Sequence, residues 1–279
     1  CLLNFYIHIP FCRQKCPYCK FALTPIFDDI KKRRYIEYLK REIQEYIANH
    51  TLTIDTIYFG WWTPSILRKD EIQGILHCFY SKHTFHTIEW MREEYSITWV
   101  WNNLQINSQS EISFECNPED ITIDSIHDIL STGCNRISLW VQSLNNATLR
   151  SIHRSNSCTI IDALDHIQRA IEESQHNISL NVDLILWLPH SNPGETLDHI
   201  HELHRRFPCI SHTSVYMLES GKYPKSWKNS SMNEREMQTE YQKICEYFES
   251  IGWNHYEISN WAKPGYECKH NQWYWKHAP

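Results

Sequence analysis

The chain has 279 residues, 42% hydrophobic and 22% charged, with a net charge of −6. That length holds one large α/β domain or two ordinary ones, and the acidic balance excludes nucleic acid as an expected partner. No run of eighteen apolar residues occurs, and the opening residues lack a charged n-region and a signal cleavage site, so a cytoplasmic protein without a membrane segment is expected.

The first predicted strand is Leu3–Ile9, and a cysteine loop follows it, with Cys12, Cys16 and Cys19 separated by three and then two residues. Chance gives roughly 0.02 such triplets at this cysteine content. Three thiolates are one short of a closed tetrahedral zinc site. They suit a four-iron cluster with one iron left open. Zinc completed by a distant Cys or His stays open as the alternative. The remaining cysteines have no motif spacing and read as small apolar residues.

Further strands are expected at Asp55–Gly60, Glu111–Cys116, Arg136–Gln142, Ile178–Leu186 and His212–Leu218. Helices are expected at Asp29 to about Ala48, Asp70–Tyr80, Ile123–Ser131, Thr159–Glu173, Glu195–Phe207 and Glu234–Ile251. Phe85–Gln109 reads as an irregular aromatic-rich insertion, and His199, His201 and His204 as solvated surface. Six βα repeats give an α/β fold, an open or partial (β/α)6 barrel. Residues 1–220 form this barrel, and 221–279 begin a C-terminal region. A chain that starts at Cys1 without methionine and stops at Pro279 is expected to carry that region truncated.

Side chains two apart share a strand face. Tyr6 and His8 therefore oppose Phe5, Ile7 and Ile9, while Ser113 and Glu115 oppose Ile112, Phe114 and Cys116. Ser138 pairs with Gln142, and Asn181 with Asp183, on the same logic. Barrel interiors are normally filled by branched apolar residues, so polar inner faces predict a polar ligand inside.

The segment Tyr6-Ile-His-Ile-Pro-Phe-Cys12 and its loop resemble the radical S-adenosylmethionine (SAM) superfamily, and within it the oxygen-independent coproporphyrinogen oxidase-like group. Thr63-Pro-Ser65, Glu115-Cys-Asn-Pro118, Arg136-Ile-Ser-Leu, Val141-Gln-Ser143, Asp183-Leu-Ile, Leu188-Pro189, His255-Tyr-Glu-Ile-Ser-Asn260 and His270-Asn-Gln-Trp-Tyr-Trp275 follow in the family's order. Phe21 in place of a further cysteine, and the HNxxYW motif at 270–275, resemble the HemW-type haem chaperones. The resemblance implies a radical SAM barrel with a 4Fe-4S cluster on Cys12, Cys16 and Cys19. SAM contacts would come from Tyr6, Tyr18, Trp61, Trp62, Thr63 and Glu115, and from Gln142, Arg154, Asp183 and Met217 around a second site. His8 would tune the cluster, and His270 would ligate haem. Implied partners are haem or a porphyrinogen, a reducing electron donor and a haem-accepting protein, which includes membrane-protein acceptors. The enzymatic alternative is radical oxidative decarboxylation of coproporphyrinogen III to protoporphyrinogen IX. A cluster-bearing scaffold without SAM chemistry is the third.

One departure is marked. The family's Gly-Gly-Gly-Thr-Pro turn reads Gly60-Trp61-Trp62-Thr63-Pro64 here, and Trp140 and Trp187 also stand where the family has glycine. The chain has 7 glycines and 12 tryptophans, together about 7% of residues, near the usual share of glycine alone. Two readings follow. Either SAM binding has been lost, or UGA codons read as glycine in a recoded genome have been translated as tryptophan. Four independent overpacking changes in one site would be severely destabilising, which favours the second.

Overall fold

Alternation of apolar and polar residues along successive short segments builds a sheet with one face for helices and one for something polar. A computed structural model of the chain describes residues 2–13, 15–19, 28–48, 53–61, 63–79, 105–174, 176–218, 227 and 234–277. Six parallel strands lie side by side in chain order: β1 (Leu2–Ile9), β2 (Thr53–Trp61), β3 (Gln105–Cys116), β4 (Arg136–Gln142), β5 (Ser179–Leu186) and β6 (Ile210–Met217). Two short antiparallel strands, β7 (Asn254–Glu257) and β8 (Asn260–Ala262), extend the sheet beyond β6 in the order β6-β8-β7. Among the described residues β1 and β7 are the two edges, so the barrel is open.

The crossovers are α1 (Asp29–Ala48), α2 (Lys69–His77), α3 (Ile123–Ser131), α4 (Asn146–Ser151) with α5 (Ser157–Glu173), and α6 (Glu195–Arg206). After β6 come α7 (Glu234–Ser250) and, past β8, α8 (Lys269–His277). Each crossover helix buries a stripe, such as Ile36, Ile43 and Ile47 of α1 or Ile160, Leu164 and Ile167 of α5. These pack on the outward residues of the strands, among them Ile57, Phe59, Phe114, Leu139, Val182 and Leu184. Each such side chain contributes about 1.5–3 kcal/mol of burial, enough to fix which strand face points outward.

Most expected elements sit within two or three residues of their observed ends. The clearest correction is β3, which starts at Gln105, so residues 105–109 belong to a strand and not to an irregular insertion. Residues 80–104, which hold the rest of that segment, lie outside the described residues, as do Phe21 and Trp62. Two α6 histidines also differ from expectation. His201 is exposed, but His199 and His204 are half-buried. His204 lies 3.2 Å from the Tyr247 hydroxyl and 3.0 Å from Thr213 Oγ1, and stacks on Trp253 at 4.7 Å. Packing of α7 on α6 makes this interior. Among the described residues no helix is long and apolar enough to cross a membrane.

Candidate functional site

The inner faces of the strands meet in a cavity of about 670 Å³. Register places its polar floor in one row: Glu115 is level with Ser138, Ser138 with Asn181, and Asn181 with His212. Ser138 Oγ donates to Asp183 Oδ2 at 2.7 Å, and Asn181 Nδ2 donates to Ser138 Oγ and Asp183 Oδ1 at 2.8 and 2.9 Å. His212 Nδ1 lies 2.6 Å from Asn181 Oδ1, and its Nε2 lies 2.7 Å from the Tyr256 hydroxyl. Burial raises the Asp183 carboxyl above the usual range and holds His212 well below the usual imidazole range. The buried network is therefore neutral at His212 and rigid.

An aromatic wall rises beside it. Tyr6 stacks on Tyr58 with centroids 5.8 Å apart, and Tyr58 stacks on His270 at 5.0 Å. The Tyr58 hydroxyl donates to Glu115 Oε1 at 2.8 Å. His270 is carried by the first turn of α8, whose backbone N–H groups at Lys269 and His270 donate to Glu111 at 3.0 and 3.2 Å. A carboxylate at a helix N-terminus is favourable, and this one docks α8 against β3. His270 Nδ1 lies 2.6 Å from Thr56 Oγ1, and its Nε2 lies 3.4 Å from the Tyr274 hydroxyl. Burial pushes His270 down to about 4, so the imidazole is neutral near pH 7.

The cysteine loop forms the rim. Cys12, Cys16 and Cys19 all line the cavity, and none of the three is in a disulfide. Thr63 Oγ1 donates to Cys12 Sγ at 3.3 Å. Burial pushes the Cys16 thiol up, and the nearby Arg154 guanidinium pulls against that shift. Among the described residues no three His, Cys, Asp or Glu side chains converge on a single metal-ion point. The soft donor set nevertheless fits an iron–sulfur cluster, which spreads its thiolates over separate irons.

Of the expected site residues, Tyr6, Tyr18, Glu115, Gln142, Arg154, Asp183, Met217 and His270 also line this one cavity. Thr63 stands behind the cysteine loop, and the backbone of Trp61 ends β2. His8 pairs with Gly60 on the Tyr6 face and is half-buried, with its imidazole pushed down by burial. Sequence reading missed Asn117, Tyr58 and Glu111, three polar residues buried or partly buried in strands or at a strand end. Period-2 alternation with Glu115 marks the face of Glu111.

Two features fit a bound organic cofactor. Gln142 has a φ of +65°, and its Oε1 is buried with no partner among the described residues. A Cβ on Gly60 would come within 2.7 Å of the Tyr6 hydroxyl and of the Tyr58 ring, so backbone there closes directly on the aromatic wall. One feature runs the other way. Trp140 lines the cavity with the Arg154 guanidinium 5.9 Å from its ring centre.

A family model described as the Radical SAM superfamily matches residues 6–203. The chain belongs to that superfamily. Similar proteins include the heme chaperone HemW of Lactococcus lactis, 30% identical over 97% of this chain and 65% of its own length. The heme chaperone HemW of Bacillus subtilis is likewise 30% identical, over 97% of this chain and 66% of its own length. The chain thus spans about two thirds of the length of these relatives. The radical SAM fold is matched by the structure of coproporphyrinogen III oxidase (HemN) from Escherichia coli, with a TM-score of 0.74 and 22% identity. That match covers 95% of this chain and 56% of the other.

Proposed function

We propose that this chain is the barrel portion of a HemW-like protein that binds a 4Fe-4S cluster, SAM and haem, and passes haem to an acceptor protein in the cytoplasm. The observation that carries the reading is that one cavity joins the cysteine loop to the HNxxYW helix α8. Cys12, Cys16 and Cys19 would hold the cluster, which when bound supplies an open iron and one-electron chemistry. Glu115, oriented by the Tyr58 hydroxyl, presents an acceptor to SAM. Gln142 offers an unpartnered carbonyl and Asp183 a fixed carboxyl to the second site. His270 supplies haem with a neutral imidazole whose other nitrogen is oriented by Thr56, the arrangement that ligating histidines use. A reducing electron donor and a haem-accepting protein are the partners this reading requires.

The test is a haem titration followed by absorbance. The parent chain is expected to saturate, and His270→Ala to bind at least tenfold more weakly. SAM-dependent decarboxylation of a porphyrinogen with 5′-deoxyadenosine release would replace this reading with the oxidase. A second reading, a cluster-bearing scaffold without SAM, draws on Trp140 in the cavity and on the left-handed backbone of Trp187. Absence of SAM binding by a chain that assembles the cluster would select it.

A further inference from the structure

The cysteine loop is locked into the barrel by a closed ring of side chains. Thr63 Oγ1, which donates to Cys12 Sγ, accepts from Asn117 Nδ2 at 2.9 Å. The Asn117 backbone N–H donates to Ser65 Oγ at 3.1 Å, and Ser65 Oγ donates to Asp120 Oδ2 at 3.0 Å. Asp120 Oδ1 then accepts from Arg13 Nε at 2.9 Å, and Arg13 is the residue after Cys12. The ring therefore starts and ends on the loop.

Arg154 feeds into it. Its Nη1 donates to Asn117 Oδ1 at 2.7 Å and its Nη2 to the Trp140 carbonyl at 2.9 Å, and the guanidinium is close enough to the Cys16 sulfur to attract it when that sulfur is charged. Among the described residues these acceptors include no carboxylate. Glu119 attracts the cation without forming an ion pair with it. A half-buried cation without a carboxylate partner favours a nearby negative charge, and Cys16 of the loop is within its electrostatic reach.

We infer that Arg154, Asn117 and Thr63 are positioning residues for the cluster, which hold the loop and raise the cluster's reduction potential. The inference rests on the cluster reading above. One-electron reduction by a low-potential donor adds one negative charge to the cluster and its thiolates, with no bond made or broken. A hydroxyl dipole aimed at a ligand sulfur and a guanidinium beside the loop stabilise that extra charge. Asn117 fixes both of them, because its amide oxygen takes Arg154 and its amide nitrogen sets the Thr63 hydroxyl.

The experiment is anaerobic reconstitution with iron and sulfide, then a redox titration of the cluster followed by electron paramagnetic resonance. Thr63→Val removes the hydroxyl at nearly constant shape, whereas Thr63→Ser keeps it. At a fixed applied potential the reduced-to-oxidised ratio is expected to fall about tenfold in Thr63→Val, equivalent to about 59 mV for a one-electron couple, and to stay within about twofold of the parent in Thr63→Ser. Arg154→Met shifts in the same direction and Arg154→Lys shifts less. A Thr63→Val chain that loses its cluster while Thr63→Ser keeps both cluster and potential also supports the positioning role. A parent cluster whose potential is unmoved in Thr63→Val and Arg154→Met overturns this inference and leaves the cluster reading standing, as does equal cluster loss in Thr63→Val and Thr63→Ser. A parent that assembles no cluster removes both.

Discussion

Replacing Trp187 with glycine tests whether the backbone after β5 is built for a residue without a side chain. Trp187 has a φ of +74°, and its indole N–H is buried with no acceptor among the described residues. An L side chain in the left-handed region costs about 1–2 kcal/mol, and an orphaned buried donor about 1–3 kcal/mol. Removing both defects returns about 2–5 kcal/mol. Against this stand the lost contacts of a half-buried ring, about half of the ~3–5 kcal/mol of a fully buried one, and about 0.5–1 kcal/mol for glycine's extra freedom when unfolded. The terms nearly cancel, so Trp187→Gly is expected to lie within about 1 kcal/mol of the parent or above it. Trp261 is the control. It is fully buried and stacks on Phe248 at 5.0 Å and on His255 at 4.5 Å. Its indole N–H is likewise buried with no acceptor among the described residues, but no positive φ adds to that relief and the whole ring is lost, so Trp261→Gly should still cost about 3 kcal/mol. Urea unfolding followed by far-UV circular dichroism measures both without depending on indole fluorescence. Equal destabilisation by the two substitutions would refute the reasoning.

The buried Lys32–Glu71 ion pair, with Nζ to Oε2 at 2.9 Å, ties α1 to α2. Lys32→Met should cost about 1–3 kcal/mol, because Glu71 loses this cation but keeps the Arg68 backbone N–H at 2.9 Å and the Arg68 guanidinium at 3.4 Å, and Lys32→Met with Glu71→Leu should recover part of it in the same urea assay. His204 is pushed down to about 3 by burial. Its folded-state value lies below the ordinary 6.5, so its contribution is full above pH 6.5 and is lost as pH falls from there toward 3. The slope is about 1.4 kcal/mol per pH unit in that window, and it should flatten in His204→Gln when unfolding is measured from pH 7 to pH 4. Gly60→Ala would drive a Cβ to within 2.7 Å of the Tyr6 hydroxyl and the Tyr58 ring. It should lower stability by about 1–3 kcal/mol, and calorimetry showing no loss would mean that the aromatic wall moves freely.

The strands and helices of the barrel were legible because each carries its own period. Ile36, Ile43 and Ile47 mark one face of α1, and Leu180, Val182 and Leu184 mark one face of β5. The same alternation exposed the site, since Glu115, Ser138, Asn181 and Asp183 occupy the opposite faces and do line the cavity. What failed to show was short or long-range. β7 and β8 have four and three residues, too few to display a period. α4 has six residues and is set by its Asn145 cap, whose Oδ1 accepts from Ala147 N at 2.8 Å. The start of β3 is polar, and only its pairing with Thr53 and Ile54 makes it a strand. The Arg154–Asn117–Thr63 chain joins residues from three separate loops, so no local pattern could reveal it. His204 looked solvated because α7, which covers it, lies thirty residues further on.

Three locally unfavourable positions among the described residues gather at one end of the sheet. Gly60 near the end of β2, Gln142 at the end of β4 and Trp187 just past β5 each follow the course of a parallel strand to its carboxyl end. That end is where α/β folds bind ligands. A left-handed glutamine with an unpartnered buried carbonyl, and a glycine with no room for a methyl group, both cost stability where they stand. Local packing gives neither a compensation: among the described residues the Gln142 carbonyl meets no donor, and the wall beside Gly60 is already in contact. Residues that break local rules together, around one cavity, are what a binding site looks like from the inside. The indole of Trp187 fits that pattern only as an intruder, because it adds a strained side chain and an orphaned donor to a turn that needs neither.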